Sequence, residues 1–199
     1  MPREIPDLHL TQGQLLWAIK YGREPDERMK YQVRYLRALD IPPASSRQAS
    51  GPGKRITYDF FDLIEAGVAI TGLDLGFRPK DIAVVLVERR EDMHRLYADV
   101  WHELPDISLE QDWVKSRGEV AMLLGDEVYI RLHDRRSKKW GQLDFVDSVE
   151  GGGDLPVFEP VERFDGEPPR RLLPLKRLML QWVAWALEAP PIRPGRKIV

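Results

Sequence analysis

Two helical patterns lie between Thr11 and Leu39, separated only by Tyr21 to Glu24, and this close spacing restricts the fold more than any other feature of the chain. The first pattern opens at Thr11, where Thr11-Gln12-Gly13-Gln14 has the form of a capping box and Leu15, Leu16 and Ile19 supply an apolar face. Gly22 ends it. Pro25-Asp26-Glu27 then places a proline and two acids in a first turn, where a missing N–H costs nothing and the helix dipole favours negative charge. The second helix is expected over Pro25 to Leu39. Two helices joined by so short a break predict a helix-turn-helix.

The side chains of the second helix separate by angle. Met29, Val33 and Leu36 fall on one stripe, an apolar anchor, while Lys30, Arg34 and Arg37 form a ridge on an adjacent face with Tyr31 at its edge. From Arg28 to Arg55 seven cations, Arg28, Lys30, Arg34, Arg37, Arg47, Lys54 and Arg55, face a single acid, Asp40. The whole chain carries a net charge of −2, so this concentration is local. Cations displace counterions at phosphates, and guanidinium forks can address guanine edges in the major groove. Double-stranded DNA is therefore the expected partner. A second basic group, Arg47 with Lys54-Arg55, lies on a Ser-, Gly- and Pro-rich segment, Ala44 to Lys54, that can approach a phosphate backbone closely and reads as a loop or wing.

Helical periodicity resumes at Asp59, with Phe60, Leu63, Ile64, Val68 and Leu73 on one face and Gly76 at the end. Arg78-Pro79-Lys80-Asp81 opens a fourth, long helix ending before Pro105. Ile82, Leu86, Met93, Leu96 and Val100 form a heptad-like seam along it once the skipped Arg89 is restored, and are the candidate dimerisation residues. Beyond Pro105 the character changes. Glu119–Leu124 and Glu127–His133 read as strands around a Gly125-Asp126 turn, with a third strand at Trp140–Val146. A Gly- and Pro-rich connection follows, and a helix closes the pattern over Leu175–Leu187. The latter is apolar around most of its circumference, which suits a buried helix or a subunit interface, and the tryptophans of this half are assigned to core packing.

Several function classes are excluded or unsupported. The absence of cysteine removes disulfides, thiolate metal sites and cysteine nucleophiles. His94, His102 and Glu103 are the nearest approach to a metal cluster, and no metal or other cofactor is expected. No carboxylate pairs with a histidine and a nucleophile at a recognisable spacing, and Gly51-Pro52-Gly53-Lys54 lacks the length and Ser/Thr of a phosphate loop, so the chain does not read as an enzyme. Neither a secretory signal nor a membrane-spanning run is visible, and a cytoplasmic location without membrane contact is expected.

Taken together, several segments resemble the MerR-type winged helix-turn-helix regulators. Arg34-Tyr35 within Val33-Arg34-Tyr35-Leu36-Arg37 resembles the family's Arg-Tyr recognition-helix motif, and Ala38-Leu39-Asp40-Ile41-Pro42 the turn into its wing. Gly53-Lys54-Arg55-Ile56-Thr57-Tyr58 is similar to the wing's basic-aromatic strand. Leu73-Asp74-Leu75-Gly76-Phe77-Arg78-Pro79-Lys80-Asp81-Ile82 is similar to the segment before the family's dimerisation helix. The likeness spans roughly Leu10 to Val100. It departs at Leu36, where the family has a second tyrosine, and in a wing spacing one residue longer. It implies a homodimer on a near-palindromic promoter element that it bends or untwists.

The expected fold is α+β: a winged helix-turn-helix with a long following helix over 1–104, residues 79–104 serving dimerisation, then a small, mostly β domain over 105–199 ending in a helix. The expected function is promoter-specific transcription regulation, with Lys30, Tyr31, Arg34 and Arg37 in the major groove, Arg47, Lys54 and Arg55 on flanking phosphates, and Arg28 and Tyr35 as further DNA-binding residues. The second domain is left to sense an effector, bind a protein or assemble. The alternative is a protein-interaction adaptor or antirepressor that keeps the helix-turn-helix shape without specific DNA binding, a reading favoured by the near-zero net charge.

Overall fold

Local signals start and stop the helices. In the computed structural model, which describes residues 2–43, 56–109, 114, 129–133, 144–146 and 170–191, helix α1 spans Gln12–Ile19. Its capping box is complete: Thr11 Oγ1 accepts from the Gln14 N–H, and Gln14 Oε1 accepts from the Thr11 N–H at 3.0 Å. Helix α2, Glu27–Ala38, starts two residues later than expected because Asp26 is the cap, accepting from the Met29 N–H at 2.7 Å. Helix α3, Phe60–Asp74, opens on a second capping box, Asp59 with Asp62.

All three helices end in the same motif, in which the second residue past the helix cap reaches back to a carbonyl of the last turn. Gly22 N–H bonds Trp17 O, Ile41 N–H bonds Leu36 O and Phe77 N–H bonds Gly72 O. The motif requires a left-handed residue. Glycine supplies it only at Gly76 (φ 89°); Tyr21 (φ 55°) and Asp40 (φ 63°) adopt it at the ends of α1 and α2.

The long fourth helix divides. Helix α4 spans Pro79–Glu88 and helix α5 spans Arg90–Glu103, with Arg89 (φ −116°, ψ 24°) between them. Arg89 is the skipped position of the heptad pattern. The break lets the two halves bend around one core, and Ile82, Leu86, Met93 and Val100 are all buried in it, with Leu96 packed at its edge. The chain's own core thus occupies the seam expected to serve a dimer. An N-terminal arm crosses the end of α5, where the Arg3 guanidinium stacks 4.9 Å from the Trp101 ring and donates to the carbonyls of Pro105 and Ile107.

The expected small, mostly β domain at the C-terminal end is not seen among the described residues. Among the described residues the structure is mostly helical, and the β content there is three short strands, β1 (Tyr129–His133), β2 (Asp144–Val146) and β3 (Arg170–Pro174). They pair antiparallel in the order β2-β1-β3. Strand β1 pairs with both β2 and β3 at Tyr129 to Arg131; the strand expected at 119–124 and its Gly125-Asp126 turn lie outside the described residues. Strand β3 falls in what reads as irregular connection.

The closing helix, α6 (Leu175–Leu187), joins the same core as α1, α3 and α5 instead of crowning a second one. Two glycines admit its tryptophans. A methyl on Gly67 of α3 would sit 2.5 Å from Trp182 Cζ3, and one on Gly22 would sit 2.3 Å from Trp185 Cζ3. The Trp185 ring also meets Trp17 edge-on at 5.2 Å, and Gln14 donates to the Ala189 carbonyl. Among the described residues no helix is long and apolar enough to cross a membrane.

Candidate nucleic-acid interface

Helix α2 is anchored as its pattern requires. Met29, Val33 and Leu36 are buried, which turns the opposite face to solvent. Tyr31 is 68% exposed, an unusual state for a large aromatic residue, and Arg28, Lys30 and Arg34 are exposed with it. Tyr35 and Arg37 are half-buried on the flanks.

The three cations of the ridge differ in their attachments. Lys30 Nζ lies 2.7 Å from Glu27 Oε1, and that hydrogen bond, then the charges of Glu27, Glu24 and Asp26, raise its pKa. The acids that hold it lie just before Arg28, outside the window over which the positive charge is concentrated. Arg37 Nη1 donates to Gln12 Oε1 at 3.0 Å, tying the last turn of α2 to the first residue of α1. Arg34, between them along the helix, is left outermost beside Tyr31.

Behind this face a buried charge cluster holds the end of α2. Glu65 of α3 is 1% exposed, a cost that only paired hydrogen bonds can offset. Arg90 supplies them, with Nε and Nη2 each 3.1 Å from a Glu65 oxygen, a bidentate fork. The same guanidinium reaches Asp40, the left-handed residue ending α2: Nη1 lies 3.3 Å from the carboxylate and Nη2 donates to the backbone carbonyl. Burial alone lowers the Arg90 pKa, but Glu65 and Asp40 together raise it above its usual value. His94 Nε2 sits 3.3 Å from Glu65 Oε2 and its ring stacks on Phe61 at 4.8 Å. Tyr97 is fully buried nearby; burial first, and the Glu65 charge second, push its pKa well up.

These positioning residues escape the sequence reading, which treats Arg89 as the notable arginine of the fourth helix. One signal does point to them. Helix α3 is apolar around nearly its whole surface, and a carboxylate at Glu65 in such a helix demands a buried partner.

The basic loop residues Arg47, Lys54 and Arg55 lie outside the described residues. Its return is described: Tyr58 pairs with Leu10 through two backbone hydrogen bonds, Leu10 N–H to Tyr58 O at 2.9 Å and Tyr58 N–H to Leu10 O at 2.8 Å. The chain that leaves from the end of α2 is therefore back at Tyr58 against Leu10, the residue preceding the Thr11 cap of α1. His102 is engaged elsewhere than His94, its Nδ1 lying 2.7 Å from the Arg3 carbonyl, and no cluster fit to hold a metal occurs among the described residues. Comparison with protein-family models, with curated proteins and with solved structures yields no match.

Proposed function

We propose that the chain is a DNA-binding transcription regulator in which α1 and α2 act as a helix-turn-helix and α2 lies in the major groove. One observation carries this reading above the others: α2 buries Met29, Val33 and Leu36 while presenting Arg34, Lys30 and Tyr31 outward. Such a helix can enter a groove without exposing its anchor. The Leu10–Tyr58 pairing supports a wing, since the chain that follows the basic 44–55 stretch in sequence is anchored at Tyr58 beside the start of α1. Arg37, bound to Gln12, acts in this reading as a positioning residue. The resemblance to MerR-type regulators adds promoter DNA and a two-fold site; a homodimer of this chain would use surfaces other than the buried Ile82, Leu86, Met93 and Val100.

Mapping of bound genomic sites followed by a footprint tests the proposal, and a protected element with two half-sites is expected. The adaptor reading keeps one observation in its favour, the neutralisation of Lys30 by Glu27. A duplex of random sequence separates the two: a regulator loses affinity steeply with salt, and an adaptor shows no such dependence.

A further inference from the structure

Helix α4 is apolar on both sides. Ile82 to Val87 is an unbroken apolar run, of which Ile82, Ala83 and Leu86 are buried in the core while Val84 and Val87 stand 47% and 37% exposed. A surface helix ordinarily turns an apolar face inward and a polar one outward, and a helix apolar on both has a second surface to cover. Among the described residues four large apolar or aromatic side chains are exposed, and Val84 and Val87 are the two that share a helix, one turn apart. Lys80, Val84 and Val87 lie within about 60° of one another around α4. Glu91 follows at the next four-residue step, in the first turn of α5 just past the Arg89 break. All four are exposed, as is Glu88 in the last turn of α4. The stripe runs from a cation, through two valines, to acids. Asp81 suits the positive end of the α4 dipole, but Lys80 in the first turn and Glu88 in the last oppose it, so their placement does not serve the helix itself.

We propose that this face joins two copies of the chain, packed as an antiparallel α4 pair about a two-fold axis. A two-fold contact requires a surface complementary to itself, and the stripe has that property in one register. With the axis between Val85 and Leu86, Val84 faces the second copy's Val87 and Lys80 faces the second copy's Glu91, with the second copy's Glu88 at its flank. Each pair occurs twice. A parallel pairing would instead set every charge against its own kind. The contact lies on the side of α4 away from Ile82 and Leu86, which the core has already taken. Four valines and a charged rim make a small interface, so the dimer is weak, with a dissociation constant on the order of 10 μM. Association needs no DNA. That it sets two α2 helices on a two-fold site rests on the reading of α2 as a recognition helix; the α4 contact itself does not.

Sedimentation equilibrium of the full chain without DNA, from about 1 to 200 μM, tests the contact, and a reversible monomer–dimer equilibrium is expected. Val84→Ser combined with Val87→Ser should weaken it about a hundredfold or more, with the far-ultraviolet circular dichroism of the parent retained. Lys80→Glu and Glu91→Lys, each alone, turn two attractions per dimer into repulsions and should each weaken it about tenfold. The two together exchange the charges and should restore affinity to near that of the parent. Leu187→Ser, at the exposed end of α6, should leave it intact. A chain monomeric throughout, a dimer indifferent to the valine pair, an equal loss on Leu187→Ser, or a charge exchange that restores nothing would overturn the proposal. A dimer that answers to these variants while DNA is not bound would retain the contact and remove only its link to a two-fold site.

Discussion

Helix α2 carries charge at two places under opposite rules. On its outer face Arg34 and Lys30 stand in solvent, while at its end Asp40 is gripped by an arginine that is itself locked to the buried Glu65. In water a charge contributes little to stability and remains available to a partner. Out of water, as at Glu65, a charge is costly alone and strong when paired, so it fixes geometry, and the half-exposed Asp40 is tied to it only through Arg90. Of the outer cations Lys30 is held by Glu27 and Arg34 stands exposed, while the inner cluster fixes the end of the helix that carries both. Substitutions at the two places should therefore separate stability from binding.

The largest effect is expected inside. Glu65→Gln leaves the Arg90 guanidinium facing a neutral group and should cost about 3 kcal/mol in urea unfolding; a loss as small as that of a surface substitution would show the cluster to be inert. Next comes Gly22→Ala, which forces a Cβ into a left-handed residue and against the Trp185 ring. A loss of about 2 kcal/mol is expected, and unchanged stability would mean that α6 does not press on the turn.

Tyr97→Phe should act in the opposite direction. The Tyr97 hydroxyl is buried without a hydrogen-bond partner among the described residues, so its removal should raise stability by about 1 kcal/mol at neutral pH. The pH dependence has a definite sign. Because the folded-state pKa is raised above the ordinary value of 10.0, the folded chain holds this proton more tightly than the unfolded one. Stability is complete below pH 10 and falls as pH rises from there toward the folded pKa, by up to about 1.4 kcal/mol per unit from this group. The phenylalanine variant should lose that slope. Identical alkaline unfolding of the two proteins would place Tyr97 in water. Smallest of all is Arg34→Ala, whose effect on stability should stay within about 0.5 kcal/mol.

Much of the helical framework is legible in the chain because its signals are local. The capping box at Thr11, the anchor of Met29, Val33 and Leu36, and the Gly76 stop all stand where the pattern places them. What escapes is long-range. No neighbour of Trp182 or Trp185 announces that each will fill the space above a glycine more than a hundred residues earlier, so α6 reads as the end of a separate unit. The seam is ambiguous for a related reason: Ile82, Leu86, Met93 and Val100 have the spacing of an interface, and only the folded chain, with its break at Arg89, shows them buried in its own core. Arg37 and Lys30 have the right residue type for the candidate interface; the Gln12 partner of Arg37 emerges only when the helices are placed, whereas Glu27, three residues before Lys30, is a local pair that the angular reading passed over.

The role of the outer face of α2 is tested most directly by fluorescence anisotropy of duplex DNA with the full chain and with Arg34→Ala, from about 50 to 200 mM salt. Affinity should fall steeply with salt, and Arg34→Ala should weaken binding about tenfold on a footprinted site while its unfolding curve overlays that of the parent. Salt-independent affinity, or equal binding by parent and variant, would contradict a DNA-reading role for α2.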